Sequence, residues 1–131
     1  MGLAALWMIP GCGIDRLPAE YGNIPVPTEQ LWSSEAQDAG RALFQSYCAL
    51  CHGDRADGRG SRTDLRGSPA NLKDPLWREE ASPRWVFYVV REGIRHTSMG
   101  SMKSVLSEEE TWNIVGYVLA EPDEGLSRNS S

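Results

Sequence analysis

Ser46-Tyr47-Cys48-Ala49-Leu50-Cys51-His52-Gly53 is the stretch on which the reading of this chain turns. Two thiols are separated by two residues, and an imidazole follows the second directly. That spacing is the one by which a c-type haem is attached. Cys48 and Cys51 can each add to one vinyl group of a single haem, giving two thioether bonds. His52 then lies beneath the iron as an axial ligand. Covalent attachment lets a small chain keep a cofactor that it cannot fully enclose.

Two other chemistries use paired cysteines. A dithiol redox motif belongs with a strand–helix pattern, which this sequence lacks. A zinc site needs a fourth ligand. Only Cys12 and His96 remain as soft or nitrogen donors, and neither stands at the spacing of a zinc knuckle. Both stay as alternatives to the haem.

Helix signals flank the motif on both sides. Upstream, Ser34 and Gln37 read as a capping box. Ala36, Ala39, Gly40, Leu43, Phe44 and Tyr47 recur at steps of three and four, which predicts a helix over 35–47 with one apolar face. Gly40 within that face lowers helix propensity and is expected to permit a close helix crossing. Downstream, residues 46–72 form a long irregular stretch rich in Gly, Asp and Arg. Such a stretch in a small domain needs something to pack on that the side chains do not supply. A short helix is expected from Asp74-Pro75. Another runs over 83–92, capped by Ser82, opened by Pro83 and stopped at Gly93. The last begins after Ser107, with Glu110 as capping partner, and ends before Pro122.

Composition sets the outer limits. The chain has 131 residues, with 13 Lys and Arg against 18 Asp and Glu, a net charge of −5. Hydrophobic residues make up 40%, which suits one globular domain. The acidic balance argues against nucleic acid as the partner, since phosphate binding needs a clustered basic face. Within it, residues 54–95 hold nine Lys and Arg and seven Asp and Glu, a net of +2, leaving −7 for the rest. Arg55, Arg59, Arg62, Arg66 and Arg95 are candidates for haem propionates or the rim of a haem crevice. The alternative for each is a solvated loop position. Trp77 and Trp85 read as haem-packing residues or as ordinary core aromatics.

These features together resemble a class I, mono-haem cytochrome c, over about residues 34–121. GRALFQSYCALCHGDRADGRG matches that family's helix followed by CxxCH. Gly40 and Phe44 stand where the family places a glycine and an aromatic at the crossing of its first and last helices. Ile114 and Tyr117 match the partner positions. GIRHTSMGSMKSVLSEEETWNIVGYVL resembles the family's methionine-ligand segment and terminal helix. The fold implied is all-α, a cytochrome c fold of three to five helices wrapped around one covalently bound haem, with an extended N-terminal arm.

The resemblance also implies a sixth ligand. Met99 and Met102 are both thioether candidates. In the family the ligand methionine often lies six residues after a helix-ending glycine and seven before a leucine. Gly93, Met99 and Leu106 satisfy both counts. Met99 is therefore the expected iron ligand opposite His52, and Met102 a pocket-lining residue. Met102, His96 or an open axial site are the alternatives. A ligating imidazole donates its other N–H to a neighbour. The family uses a proline carbonyl, which points to Ser68–Leu72 and to Pro69 within it, with Leu72 packing on the haem.

The third cysteine reads separately. Residues 1–14 carry no charged side chain, and Ile9-Pro10-Gly11-Cys12 resembles the end of a bacterial lipoprotein signal. Cleavage before Cys12 would free its thiol and amine for acylation, and two or more acyl chains make a stable anchor. Pro10 and the lack of Lys or Arg before Arg16 depart from that pattern. The alternative is a free or intermolecular cysteine. The domain reading is thus 1–33 as signal-like anchor segment and extended linker, 34–121 as haem domain and 122–131 as polar tail. Residues 13–33, fully extended, would reach on the order of 70 Å.

The expected function is one-electron transfer by a carrier, not catalysis, with the loop 97–101 as a docking lip. YCALCHG and NLKDPLW are similar to mono-haem subunits of membrane quinol-oxidising or oxidase complexes, of which alternative complex III is one. That implies a membrane respiratory complex or oxidase as partner, at the periplasmic or extracytoplasmic face. The rivals are a haem enzyme or gas sensor with an open axial position, and a structural subunit whose haem does not turn over.

Overall fold

Side-chain caps open the four longer helices of the chain. The computed structural model describes residues 17–120. Its helices are α1 Ala19–Gly22, α2 Thr28–Leu31, α3 Ser34–Tyr47, α4 Ala49–His52, α5 Pro75–Glu80, α6 Pro83–Glu92 and α7 Glu108–Leu119. No strand occurs among the described residues, and the fold is all-α. The three to five helices expected become seven because α1, α2 and α4 are single turns of four residues. Asp74, Ser82 and Ser107 cap α5, α6 and α7, accepting from the backbone N–H of Leu76 (2.9 Å), Trp85 (3.2 Å) and Glu110 (3.1 Å).

The cap of α3 differs from the expectation. Ser33, not Ser34, accepts from Ala36 N–H at 3.1 Å. Ser33 holds the extended backbone that a cap requires, so Ser34 enters the first turn. Gln37 donates instead to the Leu31 carbonyl at 3.4 Å.

The frame that positions the site is the crossing of α3 and α7. Gly40 lies at the crossing, where a Cβ would stand 1.9 Å from the Asn113 carbonyl oxygen. Phe44, Ile114 and Val115 are buried beside it, and Phe44 meets Tyr117 at 5.3 Å between ring centroids. Helix α6 lies against α7 through Phe87 stacked on Trp112, 4.1 Å apart. Arg78 closes the end of α7 by donating to the carbonyls of Val118, Leu119 and Ala120, each at 3.1 Å. The same guanidinium reaches the Leu72 carbonyl at 3.3 Å and so ties that loop to the frame.

The segment 17–33 is not the extended linker that its sequence suggests. Leu31 is fully buried, and its carbonyl lies against Gly116 of α7. Gln30 donates to the Asn113 side chain at 2.8 Å, and Arg84 of α6 donates to the Ile24 carbonyl at 2.9 Å. Pro18, Pro25 and Pro27 remove any helical period, yet each single turn still delivers one apolar anchor, Tyr21 and then Leu31. A period of one residue per turn leaves no pattern to read. The 70 Å reach expected of residues 13–33 therefore does not hold, because residues 17–33 are packed against α6 and α7. Leu31→Ala is expected to destabilise the haem-loaded protein by about 3 kcal/mol, the cost of a buried leucine cavity, read as a lower urea midpoint. A freely extended linker would show almost no change.

Candidate functional site

Helix α3 ends at Tyr47, and Cys48 serves as both its C-cap and the N-cap of α4. Both cysteines of the motif and His52 thus lie on a single turn fixed to the α3–α7 crossing. The irregular stretch after it wraps back over that turn. Gly58 N–H donates to the His52 carbonyl (2.7 Å), Arg62 N–H to Leu50 (3.0 Å) and Leu72 N–H to Ala56 (2.9 Å).

His52 Nδ1 donates to the Ala70 carbonyl at 3.1 Å. A carbonyl can only accept, so Nδ1 carries a proton, and in the neutral ring Nε2 is the nitrogen left to bind a metal. The segment Ser68–Leu72 supplies the partner, as expected, but the residue is Ala70 rather than Pro69. The Pro69 carbonyl faces Gly58, where an added Cβ would lie 3.0 Å from it.

These elements enclose a cavity of about 380 Å³, within the range of small cofactor sites. Cys48, Cys51, His52, Met99, Met102, Pro69, Leu72, Trp77 and Trp85 all line it. The two tryptophans meet edge-on at 6.3 Å. Of the five candidate arginines, Arg62 and Arg66 line the cavity, while Arg55, Arg59 and Arg95 are not among its lining residues. His96 is not among them either, and it stands exposed with φ +63. Sequence reading missed Ala70, Leu65 and the wall made by Val86, Val89 and Val90 of α6. Trp85, Val86, Tyr88, Val89 and Val90 give residues 83–92 a broad apolar surface, the one signal for that wall; Ala70 and Leu65 carry none.

The methionine loop is fixed to the end of α6. Ile94 N–H donates to the Met99 carbonyl at 2.9 Å, and Met102 N–H to Val90 at 3.2 Å. Gly93 has φ +73, and a Cβ there would lie 2.7 Å from the Met99 carbonyl oxygen. It both stops the helix and lets the loop fold tightly back. Opposite, Arg66 N–H donates to Ser98 Oγ (2.8 Å) and Ser98 N–H to the Arg66 carbonyl (3.0 Å). The two loops that roof the cavity are thereby tied to each other.

The electrostatics of the motif do not favour dithiol exchange. Burial, with Cys51 beside it adding to the effect, pushes the Cys48 thiol up to about 11. A redox-active dithiol has its nucleophile lowered instead. No three His, Cys, Asp or Glu side chains converge as a metal-holding group among the described residues. The donor set fits a covalently held haem: two thiols on one turn, an imidazole with Nε2 free, two thioethers, apolar walls and two guanidiniums. No helix among the described residues is long and apolar enough to cross a membrane. Cys12 lies outside the described residues, as does the tail from residue 121.

Residues 35–118 match the family model described as "Cytochrome C oxidase, cbb3-type, subunit III". The thiosulfate dehydrogenase of Allochromatium vinosum is 31% identical over 124 residues, which is 88% of this chain and 42% of that protein. The dehydrogenase subunit of the quinone alcohol dehydrogenase of Gluconacetobacter polyoxogenes is 45% identical over 49 residues, 37% of this chain and 7% of that subunit. The chain therefore spans less than half the length of these curated relatives. Among solved structures, the cytochrome CL of the marine methylotroph Methylophaga aminisulfidivorans superposes with a TM-score of 0.54 at 26% identity, covering 67% of this chain and 56% of that one.

Proposed function

Because the chain belongs to the cytochrome c family described as cbb3-type oxidase subunit III, we propose that it is a mono-haem electron carrier with His52 and Met99 as its axial ligands. The observation that carries this reading is the meeting, around one cavity, of both motif thiols, an imidazole with a free Nε2, and Met99. Haem bound there supplies a one-electron iron couple. The chain's own residues do the rest. Cys48 and Cys51 tie the group to the α3–α7 frame. Ala70 holds the His52 ring in the tautomer that presents Nε2. Leu72, Trp85 and the valines of α6 exclude water, which favours the less charged, reduced state. Arg62 and Arg66 are placed to balance carboxylates at the cavity mouth. The chain carries electrons and is not itself assigned a catalytic group.

The partner we propose is a membrane respiratory complex or oxidase. The family description names an oxidase, and one relative's name pairs a dehydrogenase with quinone. A quinol-oxidising assembly such as alternative complex III is the finer reading, at the periplasmic or extracytoplasmic face. Acylation at Cys12 would hold the domain at that membrane. The packing of the chain from residue 17 onward favours a fixed subunit over a swinging shuttle.

Intact mass spectrometry and optical spectra of the native protein test these readings together. The expected result is the mass of one covalent haem, cleavage before Cys12 with added acyl mass, and a low-spin ferric spectrum with the band of sulfur–iron bonding. High-spin bands and rapid CO binding would instead place the protein with haem enzymes or gas sensors that keep an open axial site. A haem that stays oxidised in stopped-flow mixing with quinol-fed membranes would mark a structural subunit.

A further inference from the structure

The segment ahead of the family-matched residues does more than cover the core. Tyr21 of α1 is only 8% exposed and packs edge-on against Tyr88 at 4.9 Å. A buried phenol needs a partner for its O–H. Tyr21 donates to Glu92 Oε1, in the last turn of α6, and Lys103 pairs with the same oxygen. These bonds from Lys103 and Tyr21 hold the Glu92 carboxyl below its ordinary range. Lys103 directly follows Met102, and its N–H donates to Ser101 Oγ at 3.3 Å. Ser101 in turn donates to the Arg91 carbonyl at 2.6 Å, and Arg91 donates to the Leu106 carbonyl at 2.6 Å. The loop from Met99 to Leu106 is thus fastened to one helical turn, and that turn is fastened to α1.

We propose that Tyr21, Glu92 and Lys103 form a positioning network through which the segment 17–33 holds the methionine loop closed over the cavity. The pair Glu92–Lys103 is partly exposed, and such a pair alone holds little. Tyr21 makes the difference, because its hydrogen bond fixes the Glu92 carboxylate on which Lys103 of the loop is held. Tyr21, Glu92 and Lys103 touch neither the thiols nor the axial ligands, so they act through the loop and not on the iron. The consequence for ligation rests on the reading of Met99 as the iron ligand.

The test uses the haem-loaded protein with Tyr21→Phe, Lys103→Met and Lys103→Arg. Two rates are measured: amide hydrogen exchange at Ile94 and Met102, which donate the bonds that close the loop, and imidazole binding to the ferric protein. Tyr21→Phe and Lys103→Met are each expected to speed exchange at those two amides by about fivefold, the loss of one charge-assisted bond. Lys103→Arg keeps the pair and is expected to stay within about twofold of the parent. Exchange unchanged in Tyr21→Phe and Lys103→Met overturns the proposal, as does equal acceleration at core amides of α7 such as Val115, which would mean general destabilisation. Imidazole binding separates the two readings. Faster in step with exchange, it supports both. Unchanged while exchange quickens, it supports the network and overturns Met99 as the displaced ligand.

Discussion

Met99→Ala is expected to lower the reduction potential by on the order of 0.2 V, part of the roughly 0.8 V range over which axial ligands set haem potentials. A thioether favours ferrous iron, and its removal gives water or an added ligand access to the vacated position. The sulfur–iron band should vanish, and CO and imidazole should bind within mixing time. Met102 also lines the cavity, but its backbone starts the turn that leads to α7, with Leu106 N–H donating to its carbonyl at 2.9 Å. Met102→Ala should therefore enlarge the pocket and shift the potential far less. The reverse outcome, with the band lost in Met102→Ala and kept in Met99→Ala, would assign the iron to Met102. Potentiometric titration of both variants beside the parent decides between them.

Gly40→Ala is expected to destabilise the haem-loaded protein by about 3 kcal/mol, against the usual sign of such a change. In an exposed helix interior, alanine for glycine stabilises by roughly 1 kcal/mol. Here the new Cβ would meet the Asn113 carbonyl oxygen at 1.9 Å and its carbonyl carbon at 2.5 Å. Both belong to the backbone of α7, so no side chain can turn aside, and the helices must part. Parting them disturbs Phe44 and Ile114, which also line the cavity, so haem spectra should broaden along with the drop in the denaturant midpoint. Gly22→Ala is the control. Nothing lies within 4 Å of its added Cβ, and the expected change is within about 0.5 kcal/mol. A near-neutral Gly40→Ala would mean that α3 and α7 do not cross this closely.

The parts of the site that were legible in sequence are those whose chemistry demands fixed local spacing. Thioether attachment needs two thiols one helical turn apart with the imidazole next, so Cys48, Cys51 and His52 could be read without a fold. Helix caps are equally local, which is why Asp74, Ser82 and Ser107 were readable. Ser33 against Ser34 was not, because adjacent serines offer the same hydroxyl and only the backbone angle chooses between them. The same holds for Ala70 against Pro69: every residue has a carbonyl, and which one faces His52 depends on how the loop turns.

By itself, then, the sequence determined the attachment chemistry, the all-helical class and the ends of the longer helices, since each rests on contacts within a few residues. It also narrowed the candidate sulfur ligands to Met99 and Met102. Tertiary structure decided which arginines line the cavity, which carbonyl fixes the imidazole, and that residues 17–33 belong to the packed domain. Tyr21 meets Glu92 across 71 positions and Gln30 meets Asn113 across 83. Contacts at that separation leave no periodic trace in the chain, because each is a single anchor whose partner is set only when α6 and α7 are already in place.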